Sequence, residues 1–116
     1  MLSIKTKYQN GILFVRLKGE LDQKTKDKFQ KNVTDVVKRT GITNLVINLN
    51  NVTKIDLEGI SELFSNYRLV NRYKGNSFIC GINERISANI KNSSILSFIP
   101  EINNEENAMR VIKWMK

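Results

Sequence analysis

The amino-acid sequence predicts an α/β domain: a mixed β-sheet carrying amphipathic helices, in the order β-β-α-β-α-β-α-β-α. Three observations predict it. The chain opens with two stretches of period-two alternation on either side of an Asn-Gly pair. Two short apolar runs follow later, of the kind found in strands covered on both faces. Between and after these runs, apolar residues recur three and four apart, as one face of a helix requires.

The first alternation sets Ile4, Thr6 and Tyr8 against Lys5 and Lys7, and the second sets Leu13, Val15 and Leu17 against Phe14, Arg16 and Lys18. Gln9-Asn10-Gly11 between them signals a tight antiparallel hairpin. Gly19-Glu20-Leu21-Asp22 breaks the pattern, and Asp22 or Thr25 is placed to cap a helix whose apolar face is Phe29, Val33, Val36 and Val37. Gly41 suits its left-handed end. Residues 44–49 read as a buried strand and Asn50–Lys54 as a loop. A second helix starts near Asp56, with Leu57, Ile60, Leu63, Phe64, Tyr67 and Val70 along one stripe. Ser77–Ile82 is the next buried strand, Ile86 and Ile90 mark a short helix, and Phe98-Ile99 before Pro100 is expected as a short edge strand. Asn104 is placed to cap a last helix carrying Ala108, Val111, Ile112 and Met115.

At 116 residues the chain reads as one domain over 1–116, long enough to bury roughly two-thirds of its unfolded surface without disulfide or metal. No apolar run approaches the ~18 residues of a membrane span, and Met1–Lys5 is followed by no apolar signal segment. The lone Cys80, inside Phe78-Ile79-Cys80, cannot form an internal disulfide and reads as a small buried hydrophobe. A cytoplasmic protein with no membrane partner is expected.

Lys and Arg number 19 against 11 Asp and Glu, a formal charge of +8. Residues 1–19 carry Lys5, Lys7, Arg16 and Lys18 and no acid, whereas the next stretch mixes both signs. There is no dense basic block and no aromatic-basic motif of an RNA-binding sheet, so nucleic acid is not the expected partner. The surplus reads as a solvated, lysine-rich surface.

The chemistry is sparse. There is no histidine, hence neither the commonest neutral-pH base nor the commonest metal ligand, and one cysteine excludes an ordinary zinc site. No glycine-rich phosphate loop and no GxSxG elbow is present. Asp56 and Glu58 remain as candidate acids, but acids in a first helical turn commonly cap N–H groups and complement the helix dipole. The expectation is a binding protein with no catalytic residue, no metal and no cofactor.

Three stretches carry a family resemblance: Leu17-Lys18-Gly19-Glu20-Leu21-Asp22, the strand Leu45–Leu49 followed by Val52, and Ile55-Asp56-Leu57-Glu58-Gly59-Ile60. At these relative positions they resemble the STAS domain of the anti-sigma factor antagonists, including the sporulation antagonist and its stress-response relatives. The resemblance implies partner switching. Such an antagonist binds an anti-sigma factor that is also a serine kinase, and this frees the sigma factor. The kinase then phosphorylates the second serine of an Asp-Ser-Ser-Gly motif at the start of the second helix, which blocks rebinding until a phosphatase resets it.

At that motif the sequence reads Asp56-Leu57-Glu58-Gly59, with glutamate at the phosphoacceptor position. A switch at this residue cannot run. Glutamate offers one charge and two acceptor oxygens, against about −1.5 to −2 and three for a phosphate. The resemblance therefore leaves three readings: a constitutively active antagonist, a locked-off form imitating the phosphorylated state, or a STAS module recruited to another regulatory or sensory complex. Ser61, one turn on, and Thr53 upstream are candidate alternative phosphoacceptors, Ser61 reading more simply as a helix-surface residue. The partner-binding residues expected are Asp22, Asp56, Leu57, Glu58, Gly59, Ile60 and Ser61. Within that set Asp56 is expected to cap the helix, Gly59 to permit close backbone approach, Leu57 or Ile60 to offer an apolar contact, and Asp22 either to meet a partner arginine or to cap a helix.

Overall fold

The computed structural model describes residues 1–115. Strands β1 (Leu2–Gln9) and β2 (Ile12–Leu21) form the expected antiparallel hairpin, and both Asn10 and Gly11 have positive φ, as a two-residue turn of this kind needs. β3 (Asn44–Ile55), β4 (Asn76–Cys80) and β5 (Glu101–Ile102) add in parallel, giving the sheet order β1-β2-β3-β4-β5. The element order is the predicted one.

Helix α1 is α-helical over Lys26–Phe29, π-helical over Gln30–Thr34 and α-helical again over Asp35–Thr40, ending at a left-handed Gly41. α2 spans Leu57–Arg72, α3 Glu84–Asn92 and α4 Glu105–Trp114. Asn104 caps α4 by accepting from the Asn107 N–H at 2.8 Å, as expected from its position.

The sheet's period-two pattern divides two cores. Leu13, Val15 and Leu17 of β2 and Leu45, Ile47 and Leu49 of β3 face α1, α2 and α3, where Phe29, Val33, Leu63, Val70, Ile86 and Ile90 meet them. The alternate residues, Ile12, Phe14, Val46, Phe78 and Cys80, face the other way and are covered by Ala108 and Ile112 of α4. Burial of both faces is what makes the central strands read as continuous apolar runs. Arg16 on that second face grips Glu105 of α4 through two nitrogens, at 2.8 and 3.0 Å, and Asn48 donates to the same carboxylate at 3.0 Å.

Several expectations need correction. β2 runs on through Gly19 and Glu20 to Leu21, where a break was expected, and Leu57, expected on the apolar stripe of the second helix, faces solvent. The stretch Asn50–Lys54 is not a loop: β3 runs on to Ile55, because Val52 and Ile55 still point into the core while polar neighbours face out. β4 ends at Cys80, not Ile82, since Gly81 turns the chain with φ +75°. The last strand is Glu101–Ile102, after Pro100, while Ile95–Ser97 forms a 3-10 turn that buries Ile99 and leaves Phe98 half exposed. Of the last helix's expected apolar residues only Ala108 and Ile112 are buried; Val111 and Met115 face out.

Candidate functional site

The expected partner-binding residues meet where the start of α2 abuts the β2–α1 loop. Asp56 adopts an extended backbone ahead of α2, and its Oδ1 accepts from the Gly59 N–H at 2.8 Å. Its Oδ2 accepts from the Gln23 N–H at 3.1 Å. One carboxylate therefore caps the helix and pins the loop from the first helix's side. Burial would raise the Asp56 carboxyl, but the N–H groups of Gly59, Gln23 and Glu58, with Lys54 nearby, outweigh it and hold it below the ordinary aspartate range.

Gly59 makes the close approach expected of it, though to its own chain. A Cβ there would fall well inside 3.0 Å of the Leu21 carbonyl oxygen and 2.9 Å from Ile55 Cγ1. The start of α2 thus lies directly on the end of β2. This is the physical reason that a Gly-Glu-Leu-Asp segment and an Asp-x-x-Gly segment belong together in one sequence.

Asp22 is only 6% exposed and turned inward. Its Oδ1 accepts from the Lys24 and Thr25 N–H groups at 2.9 and 3.2 Å, and the Thr25 hydroxyl donates to the Glu20 carbonyl at 2.8 Å. These bonds hold the turn before α1 and do not cap the helix: its N-cap is Thr25, which makes no side-chain cap bond, so neither residue caps α1 as expected.

What remains accessible is Leu57, Glu58 and Ser61. Leu57 is 78% exposed, and Ser61 lies one turn further along the same outer surface. Ile60 is only partly buried and packs against the core; with Leu57, Asn89 and Ser93 it lines a hollow of about 210 Å³ between α2 and α3. Glu58 has a half-exposed side chain whose Oε2 lies 3.6 Å from Lys26 Nζ on α1. Sequence reasoning missed Lys26, since a separation of 32 residues leaves no local signal for the pair. It placed Phe64 on the helix stripe and Phe98 in a strand but missed that the two rings meet edge to face at 5.0 Å, with Arg68 over the Phe64 ring.

The site's chemistry is that of presentation. Both aspartates are occupied by backbone donors and Glu58 by a lysine. Among the described residues no group of three His, Cys, Asp or Glu side chains is placed to hold a metal ion, and no helix is long and apolar enough to cross a membrane.

Comparison with known proteins gives consistent results. The family model for the STAS domain matches residues 3–108. An anti-sigma F factor antagonist of Paenibacillus polymyxa is 29% identical over 108 residues, covering 93% of this chain and 92% of its own. The crystal structure of an anti-sigma factor antagonist from Mycobacterium paratuberculosis superposes with a TM-score of 0.87 at 18% identity, over 97% of this chain and 95% of that one. The Bacillus cell fate determinant SpoIIAA, solved in its phosphorylated form, gives a TM-score of 0.72 at 15% identity, over 94% and 99%.

Proposed function

The chain belongs to the STAS domain family, and from that premise we propose that it is a non-enzymatic, cytoplasmic anti-sigma factor antagonist that binds a serine-kinase-like anti-sigma factor through the start of α2 and is not switched by phosphorylation at position 58. The observation that carries this reading is the accessible Leu57-Glu58 pair held on a helix start that Asp56 and Gly59 lock to the sheet. A rigid helix start with one apolar and one charged side chain exposed suits a partner surface.

Glu58 sits where the resemblance puts the phosphoacceptor. Its single charge is opposed by Lys26 at 3.6 Å, so it presents much less negative field than the doubly charged phosphate of a switched-off antagonist. That favours a constitutively binding form over a locked-off one. Leu57, Glu58, Ile60 and Ser61 are the contact residues in this reading; Asp22, Asp56 and Gly59 build the platform beneath them.

The loss of the acceptor hydroxyl equally suits a STAS module serving a different regulatory or sensory complex. Titrating the protein and its Glu58→Ser variant against the candidate anti-sigma factor by calorimetry separates the readings. Tight binding by the native chain supports the constitutive antagonist. Binding by Glu58→Ser alone means that glutamate imitates phosphate. Absence of binding by both sinks the antagonist reading for that partner and leaves the module.

A further inference from the structure

The second face of the sheet is only half covered. α4 lies over Ile12, Phe14, Val46, Phe78 and Cys80, its first residue Glu105 reaches Arg16 and Asn48, and beyond these the face continues as exposed side chains. The register identifies them. In β2, Arg16 and Lys18 follow Ile12 and Phe14 at period two; in β1, Lys7, Lys5 and Ser3 stand directly opposite Phe14, Arg16 and Lys18. Arg16 and Lys18 pair in turn with Asn48 and Asn51 of β3. Lys5, Lys7, Arg16 and Lys18 are all exposed. These are the four cations of the acid-free first 19 residues, and folding gathers them on one surface.

Among the described residues Arg16 alone of the four is hydrogen-bonded to an acid, Glu105, whose carboxyl is held below its ordinary range chiefly by that bond, with the Lys7 charge contributing. Lys5, Lys7 and Lys18 form no ion pair among the described residues. Like charges on facing strands destabilise a sheet. Lysines on an edge strand discourage edge-to-edge aggregation, which accounts for Lys5 and Lys7 on β1. It does not account for Lys18, on a strand paired along both sides.

We propose that this open half-face, Lys5, Lys7 and Lys18 with the amide of Asn51, beside the Arg16–Glu105 pair, is a second docking surface that takes an extended acidic segment of a partner protein. Cations on one face of a strand recur about every 7 Å, and facing strands lie about 5 Å apart. Alternate side chains of an extended peptide repeat at the same 7 Å, so Glu or Asp at every second residue would register with the lysines. No aromatic ring lies on this half-face for nucleotide bases to stack on, since Tyr8 belongs to the opposite face, and no apolar side chain projects from it to enter a bilayer. The surface is on the far side of the sheet from α2, so it is independent of the antagonist site and both can be occupied together.

The test is fluorescence anisotropy of a labelled twelve-residue peptide alternating Glu and Thr, in physiological salt. Duplex DNA and phosphatidylserine vesicles serve as competing polyanions. Lys5→Glu/Lys18→Glu is compared with a control pair on α1, Lys31→Glu/Lys38→Glu, of equal charge change; thermal melts verify the fold, and Lys5→Gln/Lys18→Gln replaces the reversal should it not fold. Peptide affinity falling about tenfold or more in the sheet-face variant and less than about twofold in the control supports the proposal. No binding by the native chain, equal losses in both pairs, or preference for DNA or vesicles over the peptide overturns it.

Discussion

Replacing Gly59 by alanine tests the contact on which the site is built. The added methyl would lie 2.9 Å from Ile55 Cγ1 and closer still to the Leu21 carbonyl oxygen, where ordinary van der Waals contact begins near 3.4 Å. The Ile55 side chain can yield a few tenths of an ångström. The Leu21 carbonyl cannot, because Leu21 is fully buried and its strand is paired to β3 at this point. The start of α2 must instead move off the sheet. Alanine recovers up to about 1 kcal/mol of helix propensity, against an overpacking cost of about 1–3 kcal/mol that rises with backbone displacement. A net loss of roughly 1–2 kcal/mol is expected, since the Asp56 cap and the Gln23 tie are strained by the same movement. For a chain of this length each kcal/mol corresponds to roughly 3–6 °C in Tm. Urea unfolding and calorimetry measure both quantities. A Gly59→Ala protein as stable as the parent, or more so, would refute the close approach of α2 to β2.

Acid should remove part of the stability. Asp56 and Glu105 are both held below their ordinary ranges in the folded chain, so the unfolded chain binds protons more readily. Their contributions are complete above the ordinary carboxylate values and disappear as pH falls from about 5 through the folded values. Asp56→Asn keeps an oxygen for the Gly59 N–H but cannot accept from Gln23 and loses the charge at the helix start, so it should cost about 1 kcal/mol at neutral pH and less at low pH, read from urea midpoints across that range; a constant difference contradicts it. A Lys26→Ala, Glu58→Ala double-mutant cycle should give a coupling of about 0.2–1 kcal/mol that vanishes in about 1 M salt, since both side chains are partly exposed. Cys80 is buried, and burial, with Glu105 nearby, pushes its thiol up to about 11. It should react with a thiol reagent at neutral pH only as fast as the chain unfolds; rapid labelling of the native protein would place it elsewhere.

Much of this was legible from periodicity. The Asn10-Gly11 turn, the doubly buried runs and the helix stripes give the element order and most of the core, though Leu57, Val111 and Met115 on those stripes face out. The misreadings arise where polarity and burial part company. Asn50–Lys54 looks like a loop because Leu49, Val52 and Ile55 are buried three apart, not two, where register shifts against β2 break the strand's alternation. Phe98-Ile99 is apolar enough for a strand, but Ile99 fills the core from a turn while Phe98 joins Phe64 at the surface. In the site, Asp56 and Gly59 were readable because capping and close approach leave local signatures. The polar seam between α1 and α2 was not: Gln30 donates to Glu62 and Asn66 to Thr34, across 32 residues in each case, inside a helix whose π-helical turn no spacing rule announces.

The simple strand order has a consequence for how the chain is made. Each strand from β2 onward settles beside the one synthesised just before it, so the sheet can grow in the direction of translation with no gap left for a later strand to fill. The exception is the last helix, which must return across 89 residues for Glu105 to reach Arg16. Until it arrives, Ile12, Phe14, Val46 and Phe78 are an open apolar surface on the nascent chain. The window of vulnerability to chaperones and aggregation therefore closes only when α4 has emerged from the ribosome and docked, and truncations that remove α4 should be far more damaging to solubility than its small share of the fold suggests.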